Sequence, residues 1–173
     1  MKSTRSALFA AILCGMFVAT GVQAATDSVT ATVTVLYSAV SLNQSSFAYG
    51  SISSNAASST LPLWSGAGIT ATNDGGAADF DIYGANSTGG GTGWTLAGNT
   101  TGNNYIHRFC NDTDSACTSA PTNYTALTTS PQTLKTNVAG SGTVAFQLQI
   151  TTPTTPTDFT EQSTAVTIQA SAI

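Results

Sequence analysis

The chain has 173 residues, 41% hydrophobic and only 7% charged, with a formal net charge of −4. Soluble domains carry about 25% charged residues, so the polar surface must be built from Ser, Thr, Asn, Gln and Gly. Four Lys and Arg in the whole chain are too few to neutralise a run of phosphates, which excludes nucleic acid as a partner and weighs against docking on anionic lipid.

Residues 1–24 have the pattern of a secretory signal peptide. Lys2 and Arg5 precede the apolar run ALFAAILCGMFVATG, and VQA, Val22 to Ala24, offers a small residue for cleavage. The run is short and broken by Gly, against roughly 20 apolar residues in a spanning helix. No membrane insertion is expected after cleavage. Leu13 stands before Cys14, where a lipidated cysteine needs a small neighbour. The expected location is therefore secreted, extracellular or cell-surface. Lys2 and Arg5 leave with the signal, so residues 25–173 keep two cations, Arg108 and Lys135, against eight carboxylates, a net −6. With so few charges per residue, self-association meets little repulsion.

The elements after the signal read as β-strands. In ATDSVTATVTVLYSAVSLN, Val29, Ala31, Val33 and Val35 fall on one face and Thr residues on the other, the period of a half-buried strand. This predicts an N-terminal strand over 27–42. SFAYGSI, Ser46 to Ile52, predicts a second, shorter strand. LPLWSGAG follows, in which Pro62 permits only an edge or a loop. GITATNDGGAADFDIYG predicts a hairpin turning at Asn73 to Gly76, residues that tolerate positive φ. Beyond it, Phe80 and Ile82 point one way and Asp79, Asp81 and Tyr83 the other.

ANSTGGGTG is a loop. GWTLAG and NYIHRF predict two short strands, with His107 and Arg108 on a strand edge. A long connection with short strands near Leu127 and Leu134 leads to TVAFQLQI, where Val144, Phe146 and Leu148 face in and Gln147 and Gln149 face out. The last strand, STAVTIQASAI, turns Val166, Ile168 and Ala170 inward. Eight or nine short strands with no helical periodicity predict an all-β fold. The expected form is a single antiparallel β-sandwich over 25–173, immunoglobulin-like, with a jelly roll as the alternative.

Cys110 and Cys117 are the pair left after signal removal, and in an exported chain they predict a disulfide. Asp112 and Asp114 alternate between them, a weak start to a Ca²⁺ site that lacks the Gly and Glu of an EF-hand loop. Otherwise no metal and no cofactor is expected. His107 is the one histidine, and there is no G-x-S-x-G elbow, so no catalytic residues and no enzyme activity are expected. Asp79 and Asp81 are neighbours on one strand face, unlike the flanking pair of a glycosidase. Trp64, beside Pro62 and a Gly-rich turn, is the candidate for stacking on a sugar.

ITATNDGGAADFDI, GWTLAGNTTGNNYIHRF, YTALTTSPQTL and VAFQLQITTPTTPTDFTEQSTAVTIQA together resemble a scattered group of secreted immunoglobulin-like β-sandwich surface proteins. GWTL resembles the first motif of the WxL cell-wall-binding domain. That family's second motif has no counterpart here, where the chain ends VTIQASAI without Trp. The architecture also resembles fimbrial-type fibre subunits, which implies an N-terminal donor strand. The expectation is a self-assembling structural subunit of an extracellular fibre or surface layer, joined to copies of itself by β-strand addition through Val29, Ala31, Val33 and Val35. The alternative is a module that binds surface polysaccharide through Trp64.

Overall fold

The computed structural model describes residues 30–33, 35–61, 68–118 and 122–173. The expected signal peptide, Val29 and Trp64 lie outside them. The chain divides into two units, Met1–Thr34 and Val35–Ile173. In the first, Thr30 to Val33 lie in no strand.

Among the described residues there is no helix and there are ten strands. They are β1 (Val40–Leu42), β2 (Ala57–Ser59), β3 (Ile69–Asn73), β4 (Ala78–Gly84), β5 (Thr95–Leu96), β6 (Asn104–Asn111), β7 (Thr125–Ala126), β8 (Gln132–Val138), β9 (Thr143–Thr151) and β10 (Val166–Ala172). The larger sheet runs β1-β3-β9-β6-β5, with β2 also paired to β9 and β7 to β6. The smaller runs β10-β4-β8. All pairings are antiparallel except β5 with β6, which is parallel, so the larger sheet is mixed rather than purely antiparallel.

Period-two alternation explains the core. In β4, Ala78, Phe80 and Ile82 are fully buried while Asp79, Asp81 and Tyr83 are half-buried. In β9, Val144, Phe146, Leu148 and Ile150 face the same interior. Fully burying one such side chain contributes roughly 1.5–3 kcal/mol.

Five expectations need correction. Of the strand expected over 27–42, the described residues form only Val40–Leu42, while 27–29 and 34 lie outside the described residues. Residues 35–39 lie in no strand, and Ser46 to Ile52 form none either. Asn73 to Gly76 make no hairpin: β3 and β4 belong to different sheets, and none of the four has a positive φ. The buried side-chain amide of Asn73 donates to the carbonyls of Gly76 (2.6 Å) and Val138 (2.8 Å), which fixes a crossover from one sheet to the other.

Gln147 and Gln149 leave the core face as expected, yet both are buried. Thr60, following β2, donates to Gln147 Oε1 (2.6 Å), and Arg108 Nη1 donates to Gln149 Oε1 (3.0 Å). The outer face of β9 is covered, and its amides are paired. His107 is not on an edge. β6 lies between β9 on one side and β5 and β7 on the other, so the histidine is buried inside.

Candidate functional site

The smaller sheet has three strands, and it does not roof the whole larger one. A groove of about 1280 Å³ is left beside it. Phe146, Leu148 and Ile150 of β9, with Ile69 of β3, line the groove, and residues 44–54 and 156–166 border it. These floor side chains are themselves buried, with 1% of Phe146 and Leu148, 3% of Ile69 and 8% of Ile150 exposed, and Phe47, Tyr49 and Ile52 of the bordering segment pack against the same core.

Residues 44–54 and 156–165 are irregular chain outside any named strand, with Gly50 in the left-handed region (φ 75°). Among the described residues, the backbone N–H groups of Ala48 to Ser53 on one side, and of Thr164 and Ala165 on the other, have no hydrogen-bond partner. Unpaired backbone on an edge is a template for another strand. β10 continues that border and is itself an edge strand, with β4 its sole partner among the described residues. Phe159, 82% exposed, stands on the same border.

Local contacts fix each border. Asp158 accepts hydrogen bonds from the Thr160 hydroxyl (2.6 Å) and backbone (2.8 Å), and from the backbone N–H groups of Thr92 (2.9 Å) and Gly91 (2.5 Å). The Thr160 side chain, then these backbone donors, hold its carboxyl well below the usual carboxylate range. Thr88 and Ser163 form a backbone bridge, 2.7 Å in both directions. On the other border, Phe47, Tyr49 and Ile52 pack on the core. Phe47 and Tyr49 meet edge to face at 4.9 Å.

At the inner end, the Tyr49 hydroxyl and His107 Nε2 are 2.9 Å apart. Burial lowers the His107 pKa to about 4 and pushes the Tyr49 phenol well above its ordinary value. His107 Nδ1 and the Trp94 indole Nε1 are buried and have no partner among the described residues. The pair is therefore a neutral imidazole beside an un-ionised phenol.

The residues singled out from sequence fall as follows. Ala31 and Val33 precede the groove-bearing unit, and Val35 begins it, 82% exposed. Cys110 and Cys117 are disulfide-bonded, with Cα atoms 5.9 Å apart. Asp112 and Asp114 turn to separate partners. Asp112 Oδ1 accepts from the Cys117 backbone (2.7 Å), while Asp114 accepts from Asn111 Nδ2 (2.8 Å) and pairs with Lys135 Nζ. Trp94 lines the groove. The floor of the groove was legible as core, but the bordering segments were not: Ser46 to Ile52 carries a strand pattern and forms no strand, and residues 156–165 carry none.

Comparison with family models, curated proteins and solved structures gave no match.

Proposed function

We propose that this chain is a secreted structural surface protein, a subunit with an immunoglobulin-like sandwich that assembles with copies of itself into an extracellular fibre or layer. The joining step is β-strand addition. The observation that supports this reading is the exposure of the apolar side chains of the N-terminal segment, Val33 at 88% and Val35 at 82%, in a molecule whose strand β10 has β4 as its sole partner among the described residues. Strand addition would pair such an edge with a donated strand whose alternate apolar side chains gain cover. The low charge of the chain and its hydroxyl-rich surface favour close packing of copies.

The donor is the N-terminal segment carrying Val29, Ala31, Val33 and Val35. Its apolar side chains alternate with Thr, and Val33, Val35 and Leu36 are exposed. The test is deletion of Ala25 to Leu36 from the mature protein, followed by negative-stain microscopy and light scattering. The parent forms filaments or sheets and the truncated protein stays dispersed. Equal assembly by both proteins overturns the reading.

A further inference from the structure

Five asparagines stand in the triplet Asn-x-Ser/Thr: Asn43, Asn86, Asn99, Asn111 and Asn123. In an exported chain this triplet is the acceptor for an N-linked glycan. A chain rich in Ser and Thr forms such triplets by chance, so the side-chain geometry has to separate them. At Asn43, Asn86 and Asn99 the residue is exposed, and the carbonyl is the end of the side chain that the fold uses. Asn43 Oδ1 accepts from Thr70 N (2.8 Å), Asn86 Oδ1 from Leu96 N (3.0 Å), and Asn99 Oδ1 from Thr101 N (3.1 Å) and Asn104 Nδ2 (3.1 Å). A backbone N–H only donates, so these contacts fix which end is oxygen. Each Nδ2, the atom that would carry the sugar, has no partner among the described residues. The hydroxyls that complete these triplets, on Ser45, Thr88 and Thr101, are exposed and equally unengaged.

The other two triplets are engaged. Asn111 is half-buried, and its Nδ2 donates to Leu134 O (2.8 Å) and Asp114 Oδ2 (2.8 Å). The hydroxyl of its triplet is taken too, because Thr113 Oγ1 accepts from Ala145 N (2.7 Å). Asn123 has left-handed backbone (φ 64°) and turns Nδ2 to Ala116 O (3.4 Å). We propose that Asn43, Asn86 and Asn99 carry N-linked glycans in the exported protein and that Asn111 and Asn123 do not. The donor is an oligosaccharide linked through a diphosphate to a lipid. The bond from Nδ2 to the anomeric carbon forms, the bond from that carbon to the diphosphate oxygen breaks with its electron pair, and the amide loses one proton. One N–H and the Oδ1 contacts remain, so the three glycans remove no hydrogen bond from the fold. At Asn111 the same substitution would take away one of two donors. This inference rests on the secretion part of the reading above and adds a modified surface to it. Glycans hydrate a surface that has few charges. Residues 25–36 and β10 contain no asparagine, so both stay bare for contact with other copies.

The test is mass spectrometry of the protein purified from the organism that makes it, reading intact mass, N-terminus and glycopeptides together. The expected result is an N-terminus at Ala25, a mass above that of the polypeptide by three glycans, and glycopeptides that place them on Asn43, Asn86 and Asn99. Ser45→Ala, Thr88→Ala and Thr101→Ala, expressed in the same organism, are each expected to lower the mass by one glycan with the asparagine still in place. Thr101→Ser keeps the hydroxyl and is expected to keep the glycan. A variant that only disturbed the fold would not lose one glycan and retain the other two. An exported protein that starts at Ala25 with all five asparagines bare overturns the proposal and leaves secretion standing. A bare chain that stays inside the cell and keeps residues 2–24 overturns both. Glycans on Asn111 or Asn123 overturn the sorting by Nδ2 partners.

Discussion

The Tyr49 hydroxyl lies 2.9 Å from His107 Nε2, and this contact ties the border segment 46–52 to the most buried part of β6. Whichever ring nitrogen carries the proton, the neutral imidazole has only that one polar partner among the described residues, because Nδ1 is buried and unpaired. Protonation would put a full charge there without a counter-ion, which is why burial lowers the pKa to about 4.

Stability is therefore expected to fall as the solution is acidified. The unfolded chain binds the His107 proton below about 6.5, whereas the folded chain binds it only below about 4. Between those values the unfolded state holds more protons, so folding weakens by about 1.4 kcal/mol per pH unit. Urea denaturation at pH 7, 6 and 5 checks this in a window above most carboxylate titrations. In His107→Gln the dependence between pH 6.5 and 5 is expected to flatten. A wild-type stability constant across that window would contradict the burial argument.

Removing the phenol oxygen leaves both imidazole nitrogens without a partner while keeping the ring packing. Tyr49→Phe is expected to destabilise the fold by about 1–3 kcal/mol, the range for orphaning a buried polar group. Its chemical denaturation midpoint drops with little change in slope. Hydrogen exchange is expected to rise in residues 46–52 before it rises in β6.

The disulfide closes a short loop, with Cys110 and Cys117 seven residues apart. Loop-closure entropy gives about 2.5 kcal/mol for a ring of this size. The double Cys→Ser variant is expected to lose about that much and still fold. Cys110 remains paired with Gln147 across β6 and β9, and Asp112 still caps the loop at the backbone of residue 117. Denaturation of the parent with and without reductant measures the same quantity independently.

Alternation made the core strands readable. Phe80 and Ile82 in β4, Phe146 and Leu148 in β9, and Ile168 in β10 all face as their period predicts, because a half-buried strand forces that pattern. The sequence misleads where tertiary partners decide. Ser46 to Ile52 alternates like a strand, yet no neighbouring strand meets it, and Tyr49 bonds to His107 instead. Asn73 to Gly76 has the composition of a tight turn, but the side chain of Asn73 finds carbonyls across the sandwich and draws the chain into the other sheet. Gln147 looks like a solvent residue because nothing local announces that Thr60 will cover it. The groove has the same origin. It is the space that three strands leave over a wider sheet, and no single segment encodes that mismatch.

The border at 158–161 depends on a glycine. Gly90 has φ +55°, and a Cβ there would fall 1.9 Å from Thr160 Oγ1 and 2.2 Å from Asp158 Oδ2. Left-handed backbone at a residue other than glycine is strained by about 1–3 kcal/mol, and the clash adds displacement of the Asp158 carboxylate from the N–H groups of Gly91 and Thr92. Gly90→Ala is expected to lower stability by at least that strain. It is also expected to loosen residues 158–163 selectively, seen as faster amide exchange there while β4 and β9 stay protected. Asp158→Asn removes the charge but keeps an acceptor oxygen, so it should loosen the same segment less than Gly90→Ala. The opposite order would mean that the glycine's close approach is relieved by rotation of the Thr160 and Asp158 side chains, and that the charge is what holds this border of the groove.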